Sequence, residues 1–193
     1  MPRKADQGLD QRILKAAQRL WRTQGERGLT LRAVAREAHT TTTTVYKRFR
    51  NKAGIQAALA ESVRSRFAQV LTESASIEDA YRRYLHFARN HPREYRLLYG
   101  PAWVAVMGKN SPRPAKSWLQ DQLAARFGGR GEDYEGFFSA IFLLTHGAAS
   151  LIASAPTARE AKEAEENCVA LCDLLLKDAE LLQEINRVMK HSL

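Results

Sequence analysis

The stretch that decides the fold is LTLRAVAREAHTTTTTVYKRFRNK, which runs from Leu29 to Lys52. It predicts two short helices joined by a tight turn, because Thr30 can cap the first helix and Thr41 or Thr42 can begin the second. Two helices joined in this way are the arrangement that lays the second helix along the major groove of DNA. The stretch therefore predicts a helix-turn-helix motif at residues 30–49.

The positive charge of the chain is concentrated around this motif. Residues 1–66 carry fifteen Lys and Arg against five Asp and Glu, a net charge of +10. Residues 67–193 carry fifteen Lys and Arg against sixteen Asp and Glu, a net charge of −1. Because a basic region attracts a polyanion and a neutral region does not, this asymmetry favours nucleic-acid binding by the N-terminal third.

The remainder of the chain is also predicted to be helical, which makes the fold class all-α. Apolar residues recur with helical spacing, and strand-like alternation is missing. The 193 residues divide into a flexible arm at 1–8, a DNA-binding domain at 9–70 and a second helical domain at 74–193. The predicted helices cover residues 10–24, 30–38, 41–49, 52–71, 92–100, 114–127, 133–154 and 157–189, with a further helix capped at Ser76.

The threonine run supplies the chemistry that a recognition helix needs. Each residue of 41–44 offers a hydroxyl group for phosphate oxygens and a methyl group for thymine, on a side chain short enough for close approach. Threonine is a mediocre helix former, so the run indicates a role other than helix stability. Tyr46, Lys47 and Arg48 follow at positions that reach phosphates or base edges, and Lys52 adds charge at the next helix.

Two alternative interpretations of the same segment assign it no function. The threonines could form a low-complexity loop, and the basic residues could be an ordinary solvated face. The charge asymmetry and the helix-turn-helix spacing together favour DNA binding over both.

Residues 9–70 resemble the N-terminal DNA-binding domain of the TetR/AcrR family of transcriptional regulators. That family's pattern is an apolar helix ending in Gly, a Thr-initiated helix with V/I-A-x-x-A, then T-V/L-Y-x-x-F and x-N/S-K. The matching residues here are Gly25, Thr30, Val34-Ala35, Ala38, Thr44-Val45-Tyr46, Phe49 and Asn51-Lys52. The chain departs from the pattern at the turn, where His39, Thr40 and Thr43 replace the usual Gly-Val and a later Gly. A non-Gly residue at positive φ carries strain, so the sequence leaves the conformation at His39 open.

The resemblance implies which residues contact DNA. The implied contacts are Thr30, Thr41, Thr42, Thr44, Tyr46, Lys47 and Lys52. Arg3 and Lys4 on the N-terminal arm would add phosphate or minor-groove contacts. The operator sequence does not transfer with the resemblance.

The resemblance also implies that the second domain dimerises through its last two helices and binds a small molecule. The predicted dimer contacts are Cys168, Leu171, Leu175 and Leu182. The predicted pocket lining is Tyr84, Phe87, Tyr99, Trp103, Met107, Phe138 and His146. Aromatic residues without a matching set of interior charges favour an apolar or aromatic effector, although core packing is the simpler explanation of any one of them.

Other kinds of site have weaker support in the sequence. His86 and His91 are five residues apart, and neither Cys-x-x-Cys nor HExxH occurs, so neither a metal site nor a cofactor is expected. Cys168 and Cys172 lie one helical turn apart, which favours packed, reduced thiols over a redox sensor. The uncharged segment 136–158 is long enough for a membrane span, but its polar residues favour a buried or dimer-forming helix.

The sequence allows three possible functions. A cytoplasmic, ligand-released repressor that binds a palindromic operator as a homodimer uses both halves of the chain. A sequence-independent architectural DNA-binding protein would use the same basic face but not the neutral half of some 120 residues. A small helical enzyme is the third possibility, but no Ser-His-Asp set, phosphate loop or pair of carboxylates supports it and no catalytic residue is predicted.

Overall fold

A computed structural model describes residues 7–100, 113–177, 184–185 and 187–188. Within these ranges the chain forms helices joined by short connections, and no strand occurs. The all-α prediction is confirmed. The elements are α1 (Gln7–Gly28), α2 (Leu31–Glu37), α3 (Thr42–Phe49), α4 (Lys52–Thr72), α5 (Ile77–Asn90), α6 (Pro92–Leu98), α7 (Pro114–Phe127), a 3-10 turn (Gly131–Tyr134), α8 (Glu135–Ser154) and α9 (Ala158–Lys177).

The chain divides into two compact units. The first comprises Met1–Arg64 and Arg93–Lys109, and the second comprises Ser65–Pro92 and Asn110–Leu193. Helix α4 therefore contributes to both units, and α6 belongs to the first. The predicted division into 9–70 and 74–193 stays a prediction.

The first unit is built around the helix-turn-helix. Helix α2 packs against both α1 and α3. Its small residue Ala35 is buried, as close helix packing requires. The side chains that form the core of this unit are Ile13, Ala17, Leu20, Leu29, Val34, Val45, Ile55, Leu59 and Leu98.

A polar latch of five residues joins α1 to the start of α6 inside the first unit. The carboxylate of Glu94 is fully buried. It accepts a hydrogen bond of 2.7 Å from Gln18 Nε2 and lies 3.0 Å from Arg22 Nη2. Trp21 Nε1 donates to the carbonyl of Arg93 at 2.9 Å. Because a buried carboxylate without partners would be strongly unfavourable, these contacts fix α6 against α1.

The second unit has an apolar core between α5, α8 and α9. Ser76 caps α5 as predicted, since its hydroxyl accepts the amide of Asp79 at 3.2 Å. Seven residues of α8 are buried. The helical stretch Gly131–Ser154 is long and apolar enough to cross a membrane by length and composition. A core helix of a globular protein meets the same criterion, and the packing of α8 against α5 and α9 is of that kind.

Several helix boundaries differ from the predicted ones. Helix α1 begins at Gln7, inside the segment predicted to be an arm, and it continues through a kink at Gly25 (φ 66°, ψ −156°) to Gly28. Glycine suits this kink because it has no Cβ to clash at positive φ. The last described helix ends at Lys177, and most of the predicted continuation to 189 lies outside the described residues.

Candidate nucleic-acid interface

Threonine hydroxyl groups cap both helices of the motif, as the sequence predicts. Thr30 accepts a hydrogen bond of 3.1 Å from the amide of Ala33, at the start of α2. Thr41 accepts one of 3.1 Å from the amide of Thr44, at the start of α3. The hydroxyl groups of Thr41 and Thr44 also bond to each other at 2.8 Å. These three threonines therefore fix the two helix starts through the oxygen that a phosphate or base would otherwise engage.

The outer face of α3 consists of Thr42, Thr43, Tyr46 and Lys47, all of which are exposed. The Tyr46 side chain is 60% exposed, whereas Val45 is fully buried and anchors the helix. Among the described contacts, the hydroxyl groups of Thr42 and Thr43 make no hydrogen bond, so both groups remain available to a duplex. Thr43 is absent from the predicted contacts because the family pattern places glycine at that position. Helical spacing identifies it, since it lies three residues before Tyr46 and four before Lys47.

The turn before α3 has the left-handed conformation that the sequence left open. His39 has φ 49°, and its amide donates to the carbonyl of Arg36 at 3.2 Å. The next amide, of Thr40, donates to the carbonyl of Ala35 at 2.9 Å. Histidine is among the residues that populate this region more often than most, so the turn forms without glycine at a moderate cost.

Arg48 does not extend from the outer face of α3. Its guanidinium donates to both carboxylate oxygens of Asp10, at 2.8 and 2.7 Å. This pair holds α3 against α1, since Asp10 stands in the first turn of α1. The sequence pattern assigned Arg48 to phosphates or base edges because spacing alone does not reveal a partner 38 residues away.

Lys52 is also engaged within the first unit. Its Nζ donates to the carbonyl of Glu26 at 2.9 Å and lies 3.9 Å from the carboxylate of that residue. Lys52 can therefore contact a phosphate only if its ammonium group leaves the oxygens of Glu26.

Four other cations of the first unit make no hydrogen bond or ion pair among the described residues. The exposed side chains of Arg32 and Arg36, one turn apart on α2, make no ion pair or hydrogen bond within the described ranges. The same is true of Lys47 on α3 and of Arg50, which follows it. The family pattern does not specify Arg32, Arg36 or Arg50, so these three are absent from the predicted contacts.

Residues 13–59, which span α1 to the first half of α4, match the family model described as bacterial regulatory proteins, tetR family. The helix-turn-helix of this chain is therefore similar to that of the bacterial regulatory proteins of the tetR family. No curated protein matches the chain.

Three solved structures of TetR-family proteins share the fold of this chain. The regulator SCO7222 from Streptomyces coelicolor is 22% identical, with a TM-score of 0.62, and the match covers 92% of this chain and 97% of that one. HI0893 from Haemophilus influenzae is 21% identical, with a TM-score of 0.55 and coverage of 87% and 98%. The repressor AlkX from Dietzia sp. is 19% identical, with a TM-score of 0.52 and coverage of 86% and 94%. At these identities the likeness establishes the fold alone.

The second unit of the chain contains an aromatic cluster on α4, α5 and α8. The ring of Phe67 lies 4.9 Å from that of Tyr84 and 4.6 Å from that of Phe87. Tyr84 Oη is 3.5 Å from His146 Nδ1. Burial lowers the pKa of His146 below its ordinary 6.5, so this ring is neutral at pH 7.

One side of the same cluster is a ladder of parallel rings along α8. Phe138, Phe142 and His146 follow one another at helical spacing, with ring centroids 6.0 and 5.4 Å apart. The ammonium group of Lys116 lies 5.4 Å from the Phe138 centroid and donates to Glu135 at 2.6 Å. The ladder residues are half-buried.

The structure brings together four of the predicted pocket residues, namely Tyr84, Phe87, Phe138 and His146. Tyr99 instead contacts Tyr95 in the first unit, with centroids 5.0 Å apart. The predicted residues Trp103 and Met107 lie outside the described residues. Phe67 and Phe142 were not predicted, although the four-residue spacing between Phe138, Phe142 and His146 would have identified Phe142.

The predicted dimer residues occupy different environments. Cys168 is only 4% exposed, and its Sγ lies 4.0 Å from that of Cys172, so both thiols pack inside the second unit. Leu171 is 49% exposed and Leu175 is half-buried. Leu182 lies outside the described residues. Leu174, which was not predicted, is 58% exposed.

Proposed function

We propose that this DNA-binding regulator is a ligand-released repressor that binds a palindromic operator as a homodimer. The observation that carries the proposal is the outer face of α3. Hydroxyl, methyl, phenol and ammonium groups stand together there on a helix that is capped and anchored, and none of them is engaged by another side chain in the described parts of the chain. Such groups are suited to the edges and backbone of a duplex.

The proposed homodimer rests on the exposed apolar residues of α8 and α9. Leu143 and Leu151 on α8 are 62% and 64% exposed, and Leu171 and Leu174 supply the corresponding face of α9. Between the two leucines of α8, a Cβ placed on Gly147 would meet no atom within 4 Å, so this face is open. Leu143, Gly147 and Leu151 follow one another at helical spacing on the uncharged part of α8, and exposed leucines of this kind favour a protein interface. We infer that two copies join α8 and α9 into a four-helix bundle.

A dimer also increases the number of base pairs that the protein can read. One helix reads only a few base pairs, whereas two helices related by a two-fold axis read half-sites about 34–36 Å apart. The palindromic operator follows from this symmetry.

The proposed effector binds at the aromatic cluster of the second unit. With His146 neutral and the rings of the ladder parallel, the cluster suits an apolar or aromatic molecule. Helix α4 begins with Lys52 in the first unit and carries Phe67 of the cluster in the second, so we assign to it the transmission of the signal. The effector changes DNA binding only by as much as its affinity differs between the two states of the dimer.

Selection from a pool of random duplexes tests the proposal. The full chain is expected to enrich one palindromic sequence and to bind it at least about a thousandfold more tightly than unrelated DNA at physiological salt. Equal affinity for all duplexes would support the architectural alternative. Release of the selected duplex by a panel of planar aromatic compounds tests the effector class, and a cytoplasmic location stays a prediction.

A further inference from the structure

The connection between α3 and α4 is a tight turn with an unusual conformation at Arg50. This residue has φ 60° and ψ −48°. Its amide donates to the carbonyl of Tyr46 at 2.8 Å, and the next amide, of Asn51, donates to the carbonyl of Phe49 at 2.6 Å. The second bond closes a three-residue γ-turn of the positive-φ kind, which is rare and strained for an L-residue.

The backbone is compact here because α3 ends almost against the start of α4. A Cβ on Gly54 would lie 2.1 Å from the carbonyl oxygen of Phe49, so only glycine fits at that position. The side chain of Asn51 accepts the amide of Gly54 at 2.8 Å and caps α4. The sequence thus places glycine where close approach requires it, yet places arginine at Arg50, where positive φ would favour glycine.

The side chain of Arg50 has no role within the fold that offsets this strain. It is exposed, and it makes no hydrogen bond or ion pair with any residue in the described parts of the chain. It stands between Lys47, which is also unengaged, and Lys52. Strained residues concentrate at functional sites, where the side chain is needed despite the backbone cost.

We propose that Arg50 binds a phosphate of the DNA backbone beside the groove that α3 enters. Its guanidinium presents two parallel N–H groups to the phosphate oxygens, and this contact fixes the position of α3 without reading the base sequence. The proposal deepens the proposed function, because it names the group that holds the recognition helix on the duplex.

Three substitutions separate the charge of Arg50 from its strain. Arg50→Lys keeps the charge and the strain, Arg50→Ala keeps the strain alone, and Arg50→Gly removes both. Arg159→Ala is the matched control, because it removes one exposed positive charge from α9 in the second unit. For each variant we would measure the melting temperature and the DNA dissociation constant from 50 to 300 mM salt, on the selected duplex and on an unrelated one.

Arg50→Gly is expected to melt about 2–4 °C higher than the wild type, because the strain is relieved. The same variant is expected to bind both duplexes about tenfold more weakly, with a salt slope reduced by about one per protomer. Arg50→Ala should show the loss of affinity without the gain in melting temperature. Arg50→Lys should stay within about threefold of the wild type and keep the salt slope.

Unchanged affinity and slope in Arg50→Gly and Arg50→Ala would overturn the phosphate contact. So would an equal loss in Arg159→Ala, because the effect would then be one of net charge. A melting temperature of Arg50→Gly no higher than that of the wild type would overturn the strain argument. A phosphate contact acts on any duplex, so this result is independent of whether a palindromic operator exists.

Discussion

The two units of the chain expose surfaces of opposite character. The first presents polar and cationic groups on α3 and its neighbours, such as Thr42, Tyr46 and Lys47. The second presents exposed leucines, such as Leu151 on α8 and Leu174 on α9. A cationic face is stabilised when it binds a polyanion, and an exposed apolar face is stabilised when it packs against another apolar face. The difference is in keeping with the two partners that we propose for the chain, a duplex and a second copy of itself.

The largest expected effect concerns the apolar face. Leu174→Arg places a charge where we expect the second copy, so the dimer should dissociate into monomers. Operator affinity should then fall by about a thousandfold, because the two half-sites are no longer bound together. Sedimentation and gel-shift titration measure the two effects. Ala125→Arg, at an exposed position on α7 of the same unit, is the control and should remain dimeric. A dimeric Leu174→Arg would show that this face has another partner.

The next effect concerns the polar face. Tyr46→Ala removes a side chain that is 60% exposed, so helicity and dimerisation should be unaffected. Operator affinity should fall by about a hundredfold, because each dimer loses two contacts of 1–3 kcal/mol. Gel-shift titration and circular dichroism test this. Wild-type affinity would remove Tyr46 from the interface.

The next prediction concerns the buried interior of the first unit, where a substitution should affect stability more than binding. Glu94→Ala removes the buried carboxylate of the latch. Gln18 then loses its hydrogen-bond acceptor, and Arg22 loses its ion-pair partner. The free energy of unfolding should decrease by about 2–3 kcal/mol, less than for a fully buried pair because Arg22 is partly exposed. Urea denaturation measures the loss. A smaller loss in Glu94→Gln, which keeps an acceptor, would separate the hydrogen bonds from the charge, whereas no loss in either variant would exclude a structural latch.

A smaller effect is expected at the turn before α3. His39→Gly should raise the free energy of unfolding by about 0.5–1 kcal/mol, because glycine adopts positive φ without strain. Thermal denaturation checks the gain. Operator affinity should not change, in contrast to Arg50→Gly, and a loss of affinity would place the His39 side chain on DNA.

The smallest effect depends on pH. Burial lowers the pKa of His146 in the folded state, so the unfolded state takes up the proton first. Stability should therefore be complete above pH 6.5 and should decline as the pH falls below it. His146→Phe keeps a stacked ring without a proton and should show a shallower decline in denaturation between pH 7 and 5. Identical pH profiles would show that His146 does not contribute.

How far the sequence predicts the structure also differs between the two units. In the first, the signals are local, since Thr30, Thr41 and Asn51 cap the helices that follow them within three residues. The sequence does not predict the long-range contacts of this unit, such as the ion pair between Arg48 and Asp10. Positive φ at Arg50 was likewise not predicted, because the close approach of α3 and α4 imposes it.

In the second unit, helical periodicity predicts the helices but not their neighbours. Cys168, Leu171 and Leu175 lie on one stripe by spacing, yet Cys168 is buried and Leu171 is exposed. Which side of α9 meets α5 and α8 depends on packing that a single helical pattern does not contain. The same limit explains why Tyr99 was assigned to a pocket although it contacts Tyr95 in the first unit.

A hydroxyl-radical footprint of the selected duplex, combined with the stoichiometry of the complex, tests the central claim most directly. The account predicts two protomers per duplex and two protected segments about one helical turn apart, related by a two-fold axis. Uniform protection along the duplex, or one protomer bound to a single segment, would contradict it.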